Sequence, residues 1–143
     1  MTLFVGSDHG GFELKEQIKA YLDSRSVCDI EDLGTYSEAS VDYPEFGKKV
    51  ALAVAQDAGH KGIVVCGSGI GISIAANKVT GIRAALCHDV YMAVMSRKHN
   101  DANVLALGGR TTLPENAFSI IDAWLATEFE GGRHQRRVDQ IES

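Results

Sequence analysis

The sequence predicts a three-layer α/β domain, Rossmann-like or flavodoxin-like, with a five-stranded parallel sheet. Two observations carry that expectation. Short apolar runs alternate five times with helical stretches, and clusters of glycine follow three of those runs. A repeated strand–helix–strand order implies right-handed crossovers and helices on both faces of the sheet.

Leu3 to Gly6 is a short apolar run that ends in Ser7-Asp8-His9-Gly10-Gly11, a strand followed by a loop. Leu14, Ile18, Tyr21 and Leu22 then recur at helical spacing as one apolar stripe. Val27 to Leu33 alternates with acids, which suits an edge or half-exposed strand. Pro44 opens the second helix in its first turn, where a missing N–H is harmless, and Phe46, Val50, Ala53 and Val54 form its inner face. Gly62-Ile63-Val64-Val65-Cys66 is apolar throughout, as a central parallel strand should be. Ile82 to Cys87 and Val104 to Leu107 supply two more strands. A helix near Tyr91 to Lys98 lies between them, and one over Pro114 to Ala126 follows, with Ala117, Ile120, Ile121, Trp124 and Leu125 in register.

The chain of 143 residues is 45% apolar and 23% charged, the composition of one globular domain spanning residues 1–143, with a basic segment at about 131–143. A domain of this length builds a core without disulfides. Its net charge of -5 argues against a nucleic-acid backbone as partner and leaves room for a small anion held by locally gathered positive charge. Cys28, Cys66 and Cys87 form no C-x-x-C unit and the five histidines no H-x-x-x-H pair, so neither a metal nor another cofactor is expected. Reduced thiols, no signal-peptide pattern and no membrane-length apolar run point to a cytoplasmic protein with no membrane partner.

In parallel α/β sheets, ligands bind beyond the carboxyl ends of the strands. Gly10 and Gly11 follow the first strand, Gly67, Gly69 and Gly71 the third, and Gly108 and Gly109 the fifth. Any one of these loops needs nothing more than a tight turn, but three together favour a site. Cys66-Gly67-Ser68-Gly69-Ile70-Gly71-Ile72-Ser73 runs off the central strand into a helix, so amide N–H groups and the helix dipole converge there. It is not a P-loop, because Ile72 follows Gly71, and the third glycine comes one residue too early for a dinucleotide loop. What remains is a thiol, a hydroxyl two residues on and a nest of amides. Thiols in such surroundings ionise readily, so Cys66 is either a buried structural cysteine or a general base beside an oxyanion pocket, arranged for proton abstraction next to a carbonyl.

Gly131-Gly132-Arg133-His134-Gln135-Arg136-Arg137 sets three arginines in five residues; on a helix, Arg133 and Arg137 share a face. They are either a solvated basic turn or a phosphate grip, which His9 and Arg110 could join. His99 follows the fourth helix and precedes the fifth strand, at the sheet edge opposite Cys66. It is either a helix cap or a group that reaches the pocket of a partner copy, which predicts a homodimer, or a dimer of dimers, with shared sites.

Asp8 to Phe12 after Ser7, Asp42-Tyr43-Pro44, Cys66 to Lys78, Gly81-Ile82-Arg83-Ala84, Ser96 to Leu105 and Glu130 to His134 together resemble the ribose-5-phosphate isomerase B family, in the wider group that includes the galactose-6-phosphate isomerase subunits. The resemblance covers nearly the whole chain. It implies a metal-independent aldose-ketose isomerase that interconverts ribose 5-phosphate and ribulose 5-phosphate through an enediolate, in the non-oxidative pentose phosphate pathway. It makes Cys66 the base between C1 and C2, since Ala75 stands where some members carry a glutamate. Ser68 stands where many members have threonine, and would serve at the enediolate oxygen. By the same resemblance His99 would open the furanose and Asp8 would hold sugar hydroxyls or assist. Tyr43 would pack beside the ring, and Asn100 would bind a substrate oxygen. The amides of Gly67, Ser68, Gly69, Ile70 and Gly71 would hold the oxyanion. His9, Arg110, Arg133 and Arg137 would hold the phosphate, and Arg136 is left facing solvent. Two other readings stay open: a hexose 6-phosphate as substrate, or a sugar-phosphate sensor that needs no thiol base.

Overall fold

The computed structural model describes residues 1–143. Strand β1 (Thr2–Ser7) is followed by α1 (Phe12–Arg25), β2 (Asp29–Asp32), α2 (Tyr43–Ala55), β3 (Lys61–Cys66) and α3 (Ile70–Ala76). Then come β4 (Ala84–Leu86), α4 (Val90–Asn100), β5 (Val104–Gly108), α5 (Pro114–Ala126) and α6 (Arg133–Glu142). The five strands form one parallel sheet in the order β2-β1-β3-β5-β4. No helix is long and apolar enough to cross a membrane.

Alternation along the strands builds the two sides of the core. Leu3, Val5, Ile63, Val65, Leu105 and Leu107 point to one face, where Leu14 and Ile18 of α1, Ala93 of α4 and Ile120, Ile121 and Trp124 of α5 cover them. Phe4, Val64, Cys66, Val104 and Ala106 point to the other, under Phe46, Val50 and Val54 of α2 and Ile72 and Ala76 of α3. Each fully buried aliphatic side chain contributes roughly 1.5–3 kcal/mol. Sandwiched between these faces, β3 and β5 are buried along almost their whole length, as the apolar run from Gly62 to Cys66 predicts.

The edges depart from expectation. Strand β2 covers only Asp29–Asp32 of the predicted 27–33, and β4 only Ala84–Leu86 of the predicted 82–87. An edge strand has one neighbour, so ladder bonds stop where that neighbour turns away. In α2 it is Ala51, not Ala53, that is fully buried, and Leu125 of α5 packs only at the margin of the core. Gly108 ends β5 rather than following it.

The edge strand β2 is pinned by charge. Lys15 of α1 is only 1% exposed, and its Nζ donates to both oxygens of Asp32 at 2.8 and 2.6 Å. Lys19 adds a third bond at 2.8 Å. Burial alone would raise the Asp32 carboxyl, but the bonds from Lys15 and Lys19 hold it below its ordinary value.

The strand order also locates the candidate site. From β1 the chain moves outward to β2 and then crosses back to β3, so the switch in direction lies between β1 and β3. Strand β5 lies against β3 on the other side. The three glycine-bearing loops therefore leave three adjacent strands.

Candidate active site

The first half of the site is built by these loops, which touch through their backbones. The Gly109 N–H donates to the Cys66 carbonyl at 2.8 Å and the Arg110 N–H to that of Gly67 at 3.0 Å. A Cβ on Gly109 would stand 2.6 Å from the Gly10 carbonyl oxygen, so the first and fifth loops are in contact where glycine alone leaves room.

Asp8 is buried at the end of β1. Its Oδ1 accepts the Gly11 N–H at 3.1 Å while its own N–H donates to the Val65 carbonyl at 3.2 Å, which fixes the carboxylate at the mouth of the sheet. His9 accepts the Val41 N–H on Nδ1 at 3.1 Å. A neutral imidazole accepting there carries its proton on Nε2, which becomes a donor. His9, Gly10, Gly109, Arg110 and Thr111 line a cleft of about 450 Å³ that Glu13 and Glu38 also border.

The loop after β3 bends back on its own cysteine. The Gly69 N–H donates to the Cys66 Sγ at 3.2 Å, and the Ile70 N–H to the Ser68 Oγ at 3.2 Å, leaving the Ser68 hydroxyl proton free to donate. This turn requires φ of +79° at Gly69, and a Cβ there would also press on Leu86 and Leu107. Tyr43 lies across the start of α3: a Cβ on Gly71 would meet its ring at 2.6 Å. Cys66, Ser68, Asp8, His9, Tyr43, Arg110 and the 67–71 amides thus gather at the carboxyl edge of the sheet.

His99, Asn100, Arg133 and Arg137 do not join them. They sit at the amino edge, because α4 ends just before β5 begins and α6 packs on α4. The five residues of β5 separate the two halves by roughly 15 Å at ~3.3 Å per residue. Within one chain, therefore, the expected phosphate grip of His9 and Arg110 with Arg133 and Arg137 is split between opposite edges.

Two arginines with no role foreseen from sequence hold this second half. Arg83 donates from Nε to the Asn100 carbonyl at 2.9 Å, from Nη2 to that of Asp101 at 2.9 Å, and from Nη1 to Glu142 at 2.6 Å. Arg97, buried, donates to the carbonyls of Thr127 and Ala102 at 3.1 and 2.7 Å and to the Asp101 carboxylate at 2.9 Å. The signal for Arg97 was its place four residues after the core residue Ala93, on the same helix face. Helix α6 sets Arg133 and Arg137 on one exposed face, with Gly131 and Gly132 ahead of it, and Arg136 is exposed as expected.

His134 was also missed. Its ring stacks on that of His99, with centroids 4.2 Å apart and planes 13° from parallel, and Glu130 lies beside both. Donor atoms of the three residues lie within 4.8 Å of one another, close enough to consider a divalent cation. Imidazole lone pairs lie in the ring planes, however, so two nearly parallel stacked rings do not aim at one ion.

The family model for ribose/galactose isomerase matches residues 3–141. Ribose-5-phosphate isomerase B of Escherichia coli is 53% identical over 136 residues, covering 95% of this chain and 91% of that protein. The structure of the Clostridium thermocellum ribose-5-phosphate isomerase B is 54% identical, with a TM-score of 0.95 over 99% of this chain and 95% of that one. That of the Mycoplasma genitalium ribose-5-phosphate isomerase B with bound ribulose-5-phosphate is 41% identical, with a TM-score of 0.94 over 99% and 93%. Identity of this order along the whole chain, together with the parallel sheet and its glycine loops, means that the chain belongs to the ribose/galactose isomerase family.

Proposed function

We propose that this isomerase interconverts ribose 5-phosphate and ribulose 5-phosphate without a metal, at sites that two copies of the chain build together. The observation that carries the reading is the Gly69 N–H aimed at the Cys66 sulfur, beside the Ser68 hydroxyl. A donor on the sulfur and a hydroxyl in the same short turn support Cys66 as the group that takes up the proton and Ser68 as a partner for substrate oxygens. Support for the substrate comes from the relatives, one of which binds ribulose 5-phosphate.

His9 and Arg110 from one copy, with Arg133 and Arg137 from the other, hold the phosphate by charge-assisted bonds. Binding energy spent there orients C1 and C2 over Cys66. His99 of the second copy, assisted by Asp8, takes the proton from the O1 hydroxyl and delivers one to the ring oxygen, breaking the C1–O4 bond to leave a C1 aldehyde. Asn100 of that copy binds a sugar oxygen and Tyr43 packs beside the chain. Cys66 then removes the C2 proton, the C1 carbonyl becomes the enediolate oxygen, and the Cys66 thiol, whose proton exchanges with solvent while the enediolate stands, returns a proton to C1 while the O2 proton passes to O1, with Ser68 beside both. Since the Gly69 and Ile70 amides already serve sulfur and hydroxyl, the amides of Gly67, Ser68 and Gly71 are the ones left in this loop to hold the oxyanion.

The test is turnover of ribose 5-phosphate, allose 6-phosphate and galactose 6-phosphate with EDTA present, in the native chain and in Cys66→Ala. Turnover of the pentose is expected to survive the chelator and to fall by at least ~10²-fold in the variant. Undiminished turnover in Cys66→Ala would remove the cysteine from the mechanism, and preference for a hexose would reassign the substrate.

A further inference from the structure

We infer that His134 is the positioning residue that sets the ring of His99, with Glu130 as the carboxylate beside both imidazoles; the inference rests on the ring-opening role given to His99 above. His99 projects from the last turn of α4 with its side chain 42% exposed. Its Nε2 stands 3.9 Å from Glu130, beyond hydrogen-bond reach, so that contact alone does not orient the ring. What touches the flat of the ring is His134, itself only 7% exposed.

The local backbone is arranged to bring His134 there. The Glu130 N–H donates to the Lys98 carbonyl at 3.2 Å, tying the chain before α6 to the turn that carries His99. Gly131 and Gly132 then adopt φ of +68° and +57° with open space where a Cβ would be, so conformation and not crowding calls for glycine. That reversal starts α6 with His134 on its inner face, where Val138 is the other buried residue, and leaves Arg133 and Arg137 outside.

A histidine fits this position better than an aliphatic residue of similar bulk. Burial pushes the His134 imidazole below its ordinary pKa, and His99 and Arg133 push the same way, against the opposing pull of Glu130. A neutral ring offers its π face to an imidazolium, whereas two charged rings stacked at this spacing would repel. The stacked face therefore holds the His99 ring in one seat. Ring opening needs this, because a misplacement of about 1 Å at a proton-transfer group can lose ~10²-fold in rate.

The test separates ring opening from enolisation. Ribose 5-phosphate is mostly a closed furanose, whereas ribulose 5-phosphate stays open, because its O5 carries the phosphate. Wash-in of solvent deuterium at C1 of ribulose 5-phosphate therefore reports Cys66 chemistry without ring opening. In His134→Ala, kcat on ribose 5-phosphate is expected to fall roughly 10- to 100-fold, with KM within about twofold of native and deuterium wash-in unchanged. His134→Phe, which keeps a stacked ring, is expected to recover most of the loss, and Glu130→Gln to lose less than His134→Ala, again only on the closed sugar. Equal losses in both reactions, a rise in KM without a fall in kcat, or no recovery with phenylalanine would each overturn the assignment. If His134→Ala does not fold, His134→Phe and Glu130→Gln decide it: both must keep full wash-in, and Glu130→Gln must slow closed-sugar turnover. His99→Ala measured in parallel separates the two readings. Selective loss there without selective loss in the His134 and Glu130 variants defeats the positioning alone, while no selective loss in His99→Ala defeats the ring-opening role and this inference with it.

Discussion

The guanidinium of Arg110 lies against Gly67, so close that a Cβ on the glycine would stand 2.9 Å from Nη1. The obstacle is the far end of a flexible side chain, so Gly67→Ala should fold and displace the arginine. Losing a charge-assisted bond worth roughly 1.5–3 kcal/mol, the variant is expected to show KM for ribose 5-phosphate raised about tenfold or more, with a smaller change in kcat. Gly11→Ala is the contrast, because its Cβ would collide with the Val65 carbonyl of a central strand. It should lower the thermal unfolding midpoint by several degrees, roughly 4 °C or more. Steady-state kinetics on the first and a melt on the second check both.

Separation of Cys66 and His99 on opposite edges of the sheet predicts complementation. Cys66→Ala and His99→Ala are each expected to be nearly inactive alone. Mixed in equal amounts after subunit exchange, half of the dimers would be hybrids, and each hybrid would hold one intact site. Activity should return to about a quarter of native. Failure to recover after exchange has been verified by mass spectrometry would count against sites shared across two copies.

The pairing of Lys15 with Asp32 makes acid stability a local matter. A carboxyl held below its unfolded value contributes stability above that value and loses it as pH falls through the folded one. Asp32→Asn should remove this part of the acid limb. It should also destabilise the chain by about 3 kcal/mol at neutral pH, since it leaves the buried Lys15 ammonium with only the half-exposed carboxylate of Glu16, at 3.1 Å, as a charged partner. Lys19, raised chiefly by its bond to Asp32, works in the opposite window: its contribution is complete below the unfolded lysine value and fades as pH rises through the folded one. Denaturant titrations of native chain and variant across the pH range would show both limbs.

Cys87 is buried, and burial pushes its thiol up to about 11. At pH 7 only about one molecule in 10⁴ would carry the thiolate there. Iodoacetamide should therefore leave Cys87 unlabelled in the folded chain and label it after unfolding in guanidinium, as read by peptide mass spectrometry. Labelling of Cys87 in the native state at the unfolded rate would mean that this part of the core opens freely.

The fold was legible because its centre speaks in composition: Ile63, Val64 and Val65 have no polar face, and only a strand covered on both sides tolerates that. Edge limits were less legible, since Val27 and Ile82 look like strand residues until the neighbour's end is known. Half of the candidate site could be read from glycines placed after strands, and His99 could be assigned to the other edge by counting elements. The partnership of His99 with His134 could not be read, because 35 positions separate them and only the packing of α6 on α4 joins them. Arg83 and Arg97 were hidden for a similar reason: most of what they hold are backbone carbonyls, which leave no trace in residue types.

The position of β5 between β3 and β4 has a consequence for how the chain is made. Its middle strand is encoded late, so a nascent chain that has reached residue 103 has β3 and β4 with a strand's width missing between them. Until β5 arrives, β3 is an apolar edge, the kind that invites pairing with another chain. The gap closes with the same residues that bring Gly109 and Arg110 to the Cys66 loop. Completion of the sheet and assembly of this half of the pocket are thus one event in the life of the polypeptide.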